Sequence, residues 1–239
     1  MWMDNWVLNL PLPLWPPEPR GAPTTHRILY RCFESKRNVV VLANSNQAER
    51  EAQQLHCAEN DVPILKRKGG GGTVLLGPGC LILTFAFYAK DLFSNHLYFE
   101  IINDLWIRAL KSGGIEGVKQ RGISDLAMGD KKIAGTSLFR KKHLLVYQGS
   151  LLVHPNLEAI SHLLAHPSKE PDYRQGRSHL DFLTTLREQG YTGSASDLAQ
   201  ICQVFFEKEA HAALHEHFAT PEILAQGGID FWEQARKNV

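Results

Sequence analysis

Apolar residues in this chain gather in short β-branched runs as far as Val153 and at helical spacing beyond it, with one helical set embedded among the runs. The folded part opens near residues 27–33. Residues 38–43 are a compact run centred on Val39, Val40 and Val41, which predicts a buried strand. Asn44 and Ser45 follow as turn or cap residues, and residues 47–60 have helix-forming composition. Residues 62–65 read as the entry to another strand. Residues 73–76 and 81–87 flank Gly77, Pro78 and Gly79, a spacing that predicts two antiparallel strands around a turn. In residues 97–110, Ile101, Ile102, Leu105, Trp106 and Ala109 recur at helical spacing, so that helix buries one face against the sheet until Gly113 and Gly114 stop it. Strand patterns then return at 126–128, at 131–137 beyond the Gly129-Asp130 turn, and at 144–147 and 150–153 on either side of Gly149.

Beyond Val153 the spacing is helical. Leu157, Ile160, Leu163 and Leu164 mark one helix over 156–164, and residues 181–189 a second. Residues 167–176 between them are polar and turn-rich. Ser196 is the expected cap of a long helix reaching about Phe218, with Leu198, Ile201, Val204 and Phe205 on its packed face. Thr220, Pro221 and Glu222 read as the cap, first-turn proline and first-turn acid of a last short helix. No internal repeat is present. The expected architecture is an α/β domain of the α+β type over residues 27–239. It has a mixed or antiparallel sheet, flanking helices and a helical C-terminal third, and lacks the strand–helix alternation of a doubly wound fold. Residues 11–23 hold six of the chain's twelve prolines beside Leu12, Leu14 and Trp15. Residues 1–26 are therefore expected to be an extended arm, either a free polyproline tail or, as Leu12, Leu14 and Trp15 favour, a strap laid over an apolar surface.

Composition narrows the chemistry. Lysine plus arginine number 26 and aspartate plus glutamate 25, a net charge of +1, so no global field attracts nucleic acid or a membrane surface. An anionic ligand must be held by a local cluster. The four cysteines, Cys32, Cys57, Cys80 and Cys202, show no CxxC spacing and read as free thiols of a reducing compartment. With no signal-peptide pattern and no apolar run of spanning length, a cytoplasmic location is expected.

Two segments can carry chemistry. In Lys66-Arg67-Lys68-Gly69-Gly70-Gly71-Gly72-Thr73, three cations abut four glycines. Successive glycine amides can form an anion nest, and an arginine can grip a phosphate or carboxylate through paired hydrogen bonds. Neither a Walker loop nor a dinucleotide fingerprint is present. Strand alternation through residues 131–137 places Ile133 in the core and Lys132 on the opposite face with Ala134. A lysine there can hold charge developing on a carbonyl and phosphoryl oxygen during acyl transfer. Solvated charges on a flexible turn and on a hairpin are the plainer readings of the two segments.

The same segments resemble the signatures of lipoate–protein ligases. Residues Lys66 to Val74 resemble the family's arginine- and glycine-rich motif, with Lys66 in the first arginine place and Gly69 in the serine place. Ser124-Asp125-Leu126 followed by Lys132-Ile133-Ala134-Gly135-Thr136-Ser137 resembles the second signature, an Asn-Asp pair before a strand bearing the essential lysine. Gln148-Gly149-Ser150-Leu151-Leu152 resembles the strand usually entered as His-Gly-Thr-Leu-Leu. In order and spacing the resemblance covers about residues 38–186. It implies the catalytic fold shared by lipoate–protein ligases, biotin–protein ligases and octanoyl transferases. It also implies ATP-dependent formation of lipoyl-AMP with magnesium, then transfer of the lipoyl group to a lysine of a lipoyl domain. That acceptor belongs to a 2-oxoacid dehydrogenase E2 subunit or to glycine cleavage H protein. Carried onto this chain, the resemblance makes Lys132 the catalytic residue. Arg67, Gly70, Gly71, Gly72, Thr73, Asp125, Gly135, Thr136, Gln148 and Gly149 become ligand-binding, and Asp125 the magnesium ligand.

The chain also departs from the pattern. Leu76-Gly77-Pro78-Gly79-Cys80 stands where the ligases carry His-Asp-x-Gly-Asn, and it is closer to the Gly-Pro-Gly-Gln of octanoyl transferases. Octanoyl transfer from acyl carrier protein is therefore the alternative activity. It requires a cysteine thiolate, with Cys80 and Cys202 as candidates. Cys202, on an amphipathic helix, reads as a buried hydrophobe. A non-enzymatic lipoate or acyl-adenylate binding protein is the third reading. No separate accessory domain is expected after the catalytic core, so a separate accessory protein is a further expected partner. Residues 172–179 form a polar cluster whose plainer reading is a solvated loop, and whose functional reading is a surface that closes on substrate or meets the acceptor domain. His211, His215 and His217 are weak metal candidates by spacing alone.

Overall fold

The computed structural model describes residues 28–220 and 222–223. The proline-rich arm and most of the last short helix fall outside these residues. Strand β1 (Leu29–Glu34) leads to β2 (Val39–Leu42), the run predicted from its valines. The helical segment that follows is two short helices, α1 (Ala48–Glu51) and α2 (Gln54–Glu59). They are separated because the chain near Ala52 bridges to Leu164 instead of continuing its own ladder, and the Gln53 amide donates to the Leu163 carbonyl. Strand β3 (Ile64–Lys66) runs parallel to β2, and β4 (Val74–Leu76) runs antiparallel to it, so β3-β2-β4 is a small three-stranded sheet.

β5 (Cys80–Tyr88) belongs elsewhere. It lies between β1 and β9 (Leu144–Leu152) in a six-stranded antiparallel sheet of order β1-β5-β9-β8-β7-β6. The remaining members are β6 (Val118–Arg121), β7 (Asp125–Met128) and β8 (Lys131–Lys141). The expected pairing of residues 73–76 with 81–87 is thus not made. The chain uses its Gly77-Pro78-Gly79 turn to pass from one sheet to the other. All nine residues of β5 are buried, which accounts for an apolar run without alternation: helices cover one face and the small sheet the other. Likewise, the two strand patterns around Gly149 are one continuous strand.

Helix α3 (Asn95–Ser112) buries Tyr98, Ile102, Leu105, Trp106 and Ala109, and packs beside α6 (Ala195–Leu214) on the large sheet. The cap of α6 is Ser194, two residues earlier than expected, in a reciprocal capping box with Asp197. This start leaves Leu198, Cys202, Phe206, Ala210 and Leu214 inward, while Ile201 and Val204 are exposed. Phe205 is only partly buried, packed against the core. The packed face is therefore rotated from the expected one, and Cys202 is the buried hydrophobe anticipated. The helix expected over 181–189 is a single turn, α5 (His179–Phe182), following α4 (Leu157–Leu163) and a 3-10 turn at Asp172–Arg174. Past Phe182 the chain runs beside β8: Leu183 bridges Lys132, and the Thr184 amide donates to the Lys132 carbonyl at 3.0 Å. No helix among the described residues is long and apolar enough to cross a membrane.

Candidate active site

Register identifies the face that carries the polar chemistry. Thr84 on β5, Gln148 on β9 and Ser137 on β8 are successive cross-strand partners, as are Ile82, Ser150 and Gly135. Ile82 packs against Val41 and Leu76 of the small sheet, so this whole set faces the small sheet, away from α3 and α6. The glycine segment lies over the same strand. A β-carbon at Gly69 would meet the Ser137 hydroxyl oxygen at 3.1 Å, and one at Gly71 would meet the Thr136 carbonyl oxygen at 3.7 Å. Gly71 has φ +91°, a conformation that favours glycine. β-Carbons at Gly70 and Gly72 would point into open space.

Arg67 is buried behind this loop and shapes it. Its Nη2 donates to the carbonyls of Gly70 (2.6 Å) and Gly72 (2.7 Å), and its Nη1 to the Val41 carbonyl (3.3 Å). The one Nη2 thus fixes two alternate glycine carbonyls on one side of the loop, while Nη1 ties the guanidinium to β2. Thr73, at the end of the loop, accepts a hydrogen bond from the Asn46 side chain at 3.0 Å.

Lys132 reaches the same face. Its Nζ lies 3.1 Å from where a Gly135 β-carbon would be, so the ammonium sits directly over Gly135 and any larger residue there would push it aside by a few tenths of an ångström. A β-bulge between Leu126 and Ala127 makes this possible: Leu126 pairs with Ala134 and Ala127 with Lys132, leaving Ile133 extra on β8. The expected sharing of one face by Lys132 and Ala134 fails for that reason. Ile133 and Ala134 are both in the core. Lys132 Nζ pairs with Asp125 Oδ1 at 2.8 Å, both side chains being mostly buried, and Asp125 Oδ2 accepts from the Tyr173 hydroxyl at 2.9 Å. Burial first, and then the Asp125 charge, push the Tyr173 phenol well above its ordinary range, so it stays a donor. Close by, burial first and then Arg174, His166 and Lys132 push His179 down to about 4, leaving a neutral imidazole at pH 7.

The structure gives Thr136 and Gly149 other surroundings. The Thr136 hydroxyl donates to the Ser124 carbonyl at 2.8 Å, and a Gly149 β-carbon would strike Trp106 of α3. Two residues outside the motifs, Asn103 and Tyr173, support the site. Buried Asn103 of α3 donates to the Ser124 carbonyl and to Gln120, and it accepts from the Tyr147 hydroxyl at 2.6 Å. The turn carrying Asp125 is thereby tied to the core. An amide in the middle of an apolar helix face was the available signal. Tyr173 fell within the polar cluster at residues 172–179, but nothing in the sequence joined it to Asp125.

Each Asp125 oxygen has one partner, Lys132 at Oδ1 and the Tyr173 hydroxyl at Oδ2, and keeps a second lone pair, so this carboxylate could offer magnesium at most one ligand, with phosphate and water supplying the rest. Among the described residues no group of three or more His, Cys, Asp or Glu side chains is placed to hold a metal, His211, His215 and His217 included. Cys80 is buried, and that burial pushes its thiol up to about 11. Cys202 is also fully buried.

A family model for the lipoyl protein ligase A/B catalytic domain matches residues 22–208. Lipoate-protein ligase A of Psychrobacter cryohalolentis is 32% identical over 168 residues, 70% of this chain and 44% of that protein. Lipoate–protein ligase 1 of Staphylococcus aureus is 25% identical over 138 residues, 57% of this chain and 41% of that protein. The matched segment thus spans less than half the length of these curated relatives. Among solved structures, the archaeal bipartite lipoate protein ligase of Thermoplasma acidophilum, studied with its E2 lipoyl domain, has a TM-score of 0.67 at 17% identity, covering 88% of this chain and 79% of that one. Lipoate-protein ligase A bound with ATP has a TM-score of 0.64 at 19% identity, covering 88% and 81%. The sheets and flanking helices described here match the fold of these structures.

Proposed function

This chain belongs to the lipoyl protein ligase A/B catalytic domain family, and we propose that it attaches lipoate to a specific lysine of a lipoyl domain by way of lipoyl-AMP. The observation that carries this reading is the convergence on one strand face of the Lys132–Asp125 pair, over Gly135, and the glycine loop shaped by Arg67. An acyl-adenylate is an anion joined to an aliphatic tail. It needs a cation near the anhydride, backbone room for the phosphate, and an apolar wall.

Lys132 supplies the cation: its ammonium, held beside Asp125, stabilises negative charge on the carbonyl and phosphoryl oxygens as the acceptor amine attacks. The amine forms the amide bond, the bond from the acyl carbon to the phosphate oxygen breaks, AMP leaves, and the amine's proton passes to solvent. The open sides of Gly70 and Gly72, with Thr73, Gly135 and Gln148, line the path of the adenylate, and the apolar contacts of Val41, Leu76 and Ile82 give the tail its wall. ATP, when bound, supplies the adenylyl group that activates the acid, and Asp125 would share the magnesium ion that accompanies it. The acceptor is a lipoyl domain of a 2-oxoacid dehydrogenase E2 subunit or of glycine cleavage H protein.

The buried, protonated state of Cys80 weighs against the octanoyl-transferase alternative, because that reaction needs a thiolate. Labelled lipoate, ATP, magnesium and an apo lipoyl domain test the proposal by incorporation of label into the acceptor. Supplying octanoyl carrier protein without ATP tests the alternative. Label transferred only in the second arm would overturn the ligase reading.

A further inference from the structure

The polar segment between α4 and α5 is fastened to the hairpin that carries Lys132. Arg177 donates to the Asp130 carboxylate (3.0 Å) and carbonyl (3.1 Å) in the β7–β8 turn, and also to the Tyr173 carbonyl (2.8 Å). The Tyr173 ring is fixed from two directions. The Arg121 guanidinium lies 4.8 Å from its centroid, and the Phe182 ring packs against it at 5.1 Å. A ring so held has little freedom, and its hydroxyl meets Asp125 Oδ2 at 2.9 Å.

The other oxygen of that carboxylate meets Lys132 Nζ at 2.8 Å. A carboxylate gripped at one oxygen resists rotation about its Cβ–Cγ bond, so its second oxygen becomes a fixed anchor. Lysine ends in a flexible four-carbon stem, and without such an anchor its ammonium samples many positions. Transition-state stabilisation depends on the charge standing ready where negative charge appears, with no reorganisation during the step.

We propose that Tyr173 is a positioning residue for acyl transfer, whose hydroxyl locks Asp125 so that Asp125 holds the Lys132 ammonium over Gly135. The proposal rests on the reading of Lys132 as the charge-stabilising group. It predicts that order in the 170–178 segment and alignment of Lys132 are linked through one hydrogen bond. Arg121 and Phe182 contact the ring itself, so the ring keeps these two supports when the hydroxyl is removed.

Tyr173→Phe removes the hydroxyl and keeps the ring. In transfer from preformed lipoyl-AMP to an apo lipoyl domain, it is expected to lower kcat about tenfold, the scale of one hydrogen bond to a charged group, with KM for lipoyl-AMP changed less than about twofold. The effect should vanish when Tyr173→Phe is made in an Asp125→Asn background, because the two act in series. Nitrogen-15 NMR of the lysine ammonium groups gives a readout independent of turnover. The Lys132 Nζ resonance should shift in Tyr173→Phe and stay in place in Tyr191→Phe. An unchanged kcat, an equal loss in the Asp125→Asn background, or an unmoved Lys132 resonance overturns the positioning role. Lys132→Ala in the same series separates the two levels. Transfer as fast as wild type would overturn the reading of Lys132 itself. Transfer that needs Lys132 but ignores Tyr173→Phe overturns only the positioning proposal.

Discussion

Gly149 sits on β9 where α3 presses the fully buried indole of Trp106 onto the sheet, and Gly149→Ala tests whether that glycine serves packing or ligand. A β-carbon there would fall 2.5 Å from Trp106 Cζ3 and 3.0 Å from Cη2, with Thr136 Cγ2 at 3.5 Å. Carbon atoms in favourable contact stand about 3.5–4.0 Å apart, so the indole must retreat by about 1 Å or the strand must bow. Neither movement is cheap, because the interior around the indole is close-packed. Overpacking of this kind costs about 1–3 kcal/mol, and a rigid aromatic neighbour puts this site near the upper end. For a chain of this size, about 3 kcal/mol corresponds to a fall in Tm of about 6–12 °C. Thermal melting by circular dichroism reads it directly. Trp106→Phe withdraws the offending ring atoms, so the double variant should lose at least about 1 kcal/mol less than the sum of the single losses. Because the β-carbon direction is toward the helices, the folded variant should bind a nonhydrolysable acyl-adenylate analogue within about twofold of wild type. An unchanged Tm, strictly additive losses, or a collapse of affinity at constant Tm would refute the packing argument.

Two further outcomes follow from the titrating groups. His179 is pushed down to about 4 from 6.5, so unfolding takes up a proton between those values. Folding stability therefore falls as pH drops from 6.5 to 4 and is unaffected by this group above that window. His179→Asn should flatten that acid limb in a series of melts, and an identical slope in both proteins would contradict it. Cys80, buried with its thiol pushed up to about 11, is protonated at neutral pH. Cys80→Ala should keep the acyl-transfer rate within about twofold, whereas loss of transfer in a folded variant would make the thiol a nucleophile and favour octanoyl transfer.

The elements that were legible in the sequence are those whose burial is decided locally. The valines of β2, the unbroken run of β5 and the helical spacing of α3 each state one environment along one segment. Which strands pair is not a local property. The β4 and β5 patterns fit a hairpin as well as a crossing between sheets, and only the partners β2, β1 and β9 decide. The bulge opposite Leu126 and Ala127 is similarly invisible, and it is what lets Lys132 leave the core face while Ile133 and Ala134 both stay on it. For α6 the signal was present but ambiguous: Ser194 and Ser196 both offer a capping hydroxyl near the helix start, and Asp197 three residues after Ser194 was the cue for the earlier cap, which leaves Ser196 in the first turn. In the candidate site, the glycine run, Arg67, Asp125 and Lys132 were named from motif order, and the structure brings them to one region. Arg67 proves to be wired into the glycine loop through two carbonyls, a role that spacing cannot reveal. Tyr173 lies 48 residues from Asp125 in sequence, and only the folded chain joins them.

If Lys132 carries the charge that develops during acyl transfer, rapid-quench single-turnover kinetics will show it. Wild type and Lys132→Ala would each be mixed with preformed lipoyl-AMP and an apo lipoyl domain, with circular dichroism confirming that both are folded. The transfer rate should fall on the order of 10²-fold or more in Lys132→Ala, the size of a lost oxyanion donor. A folded Lys132→Ala protein that transfers the lipoyl group at the wild-type rate would contradict it.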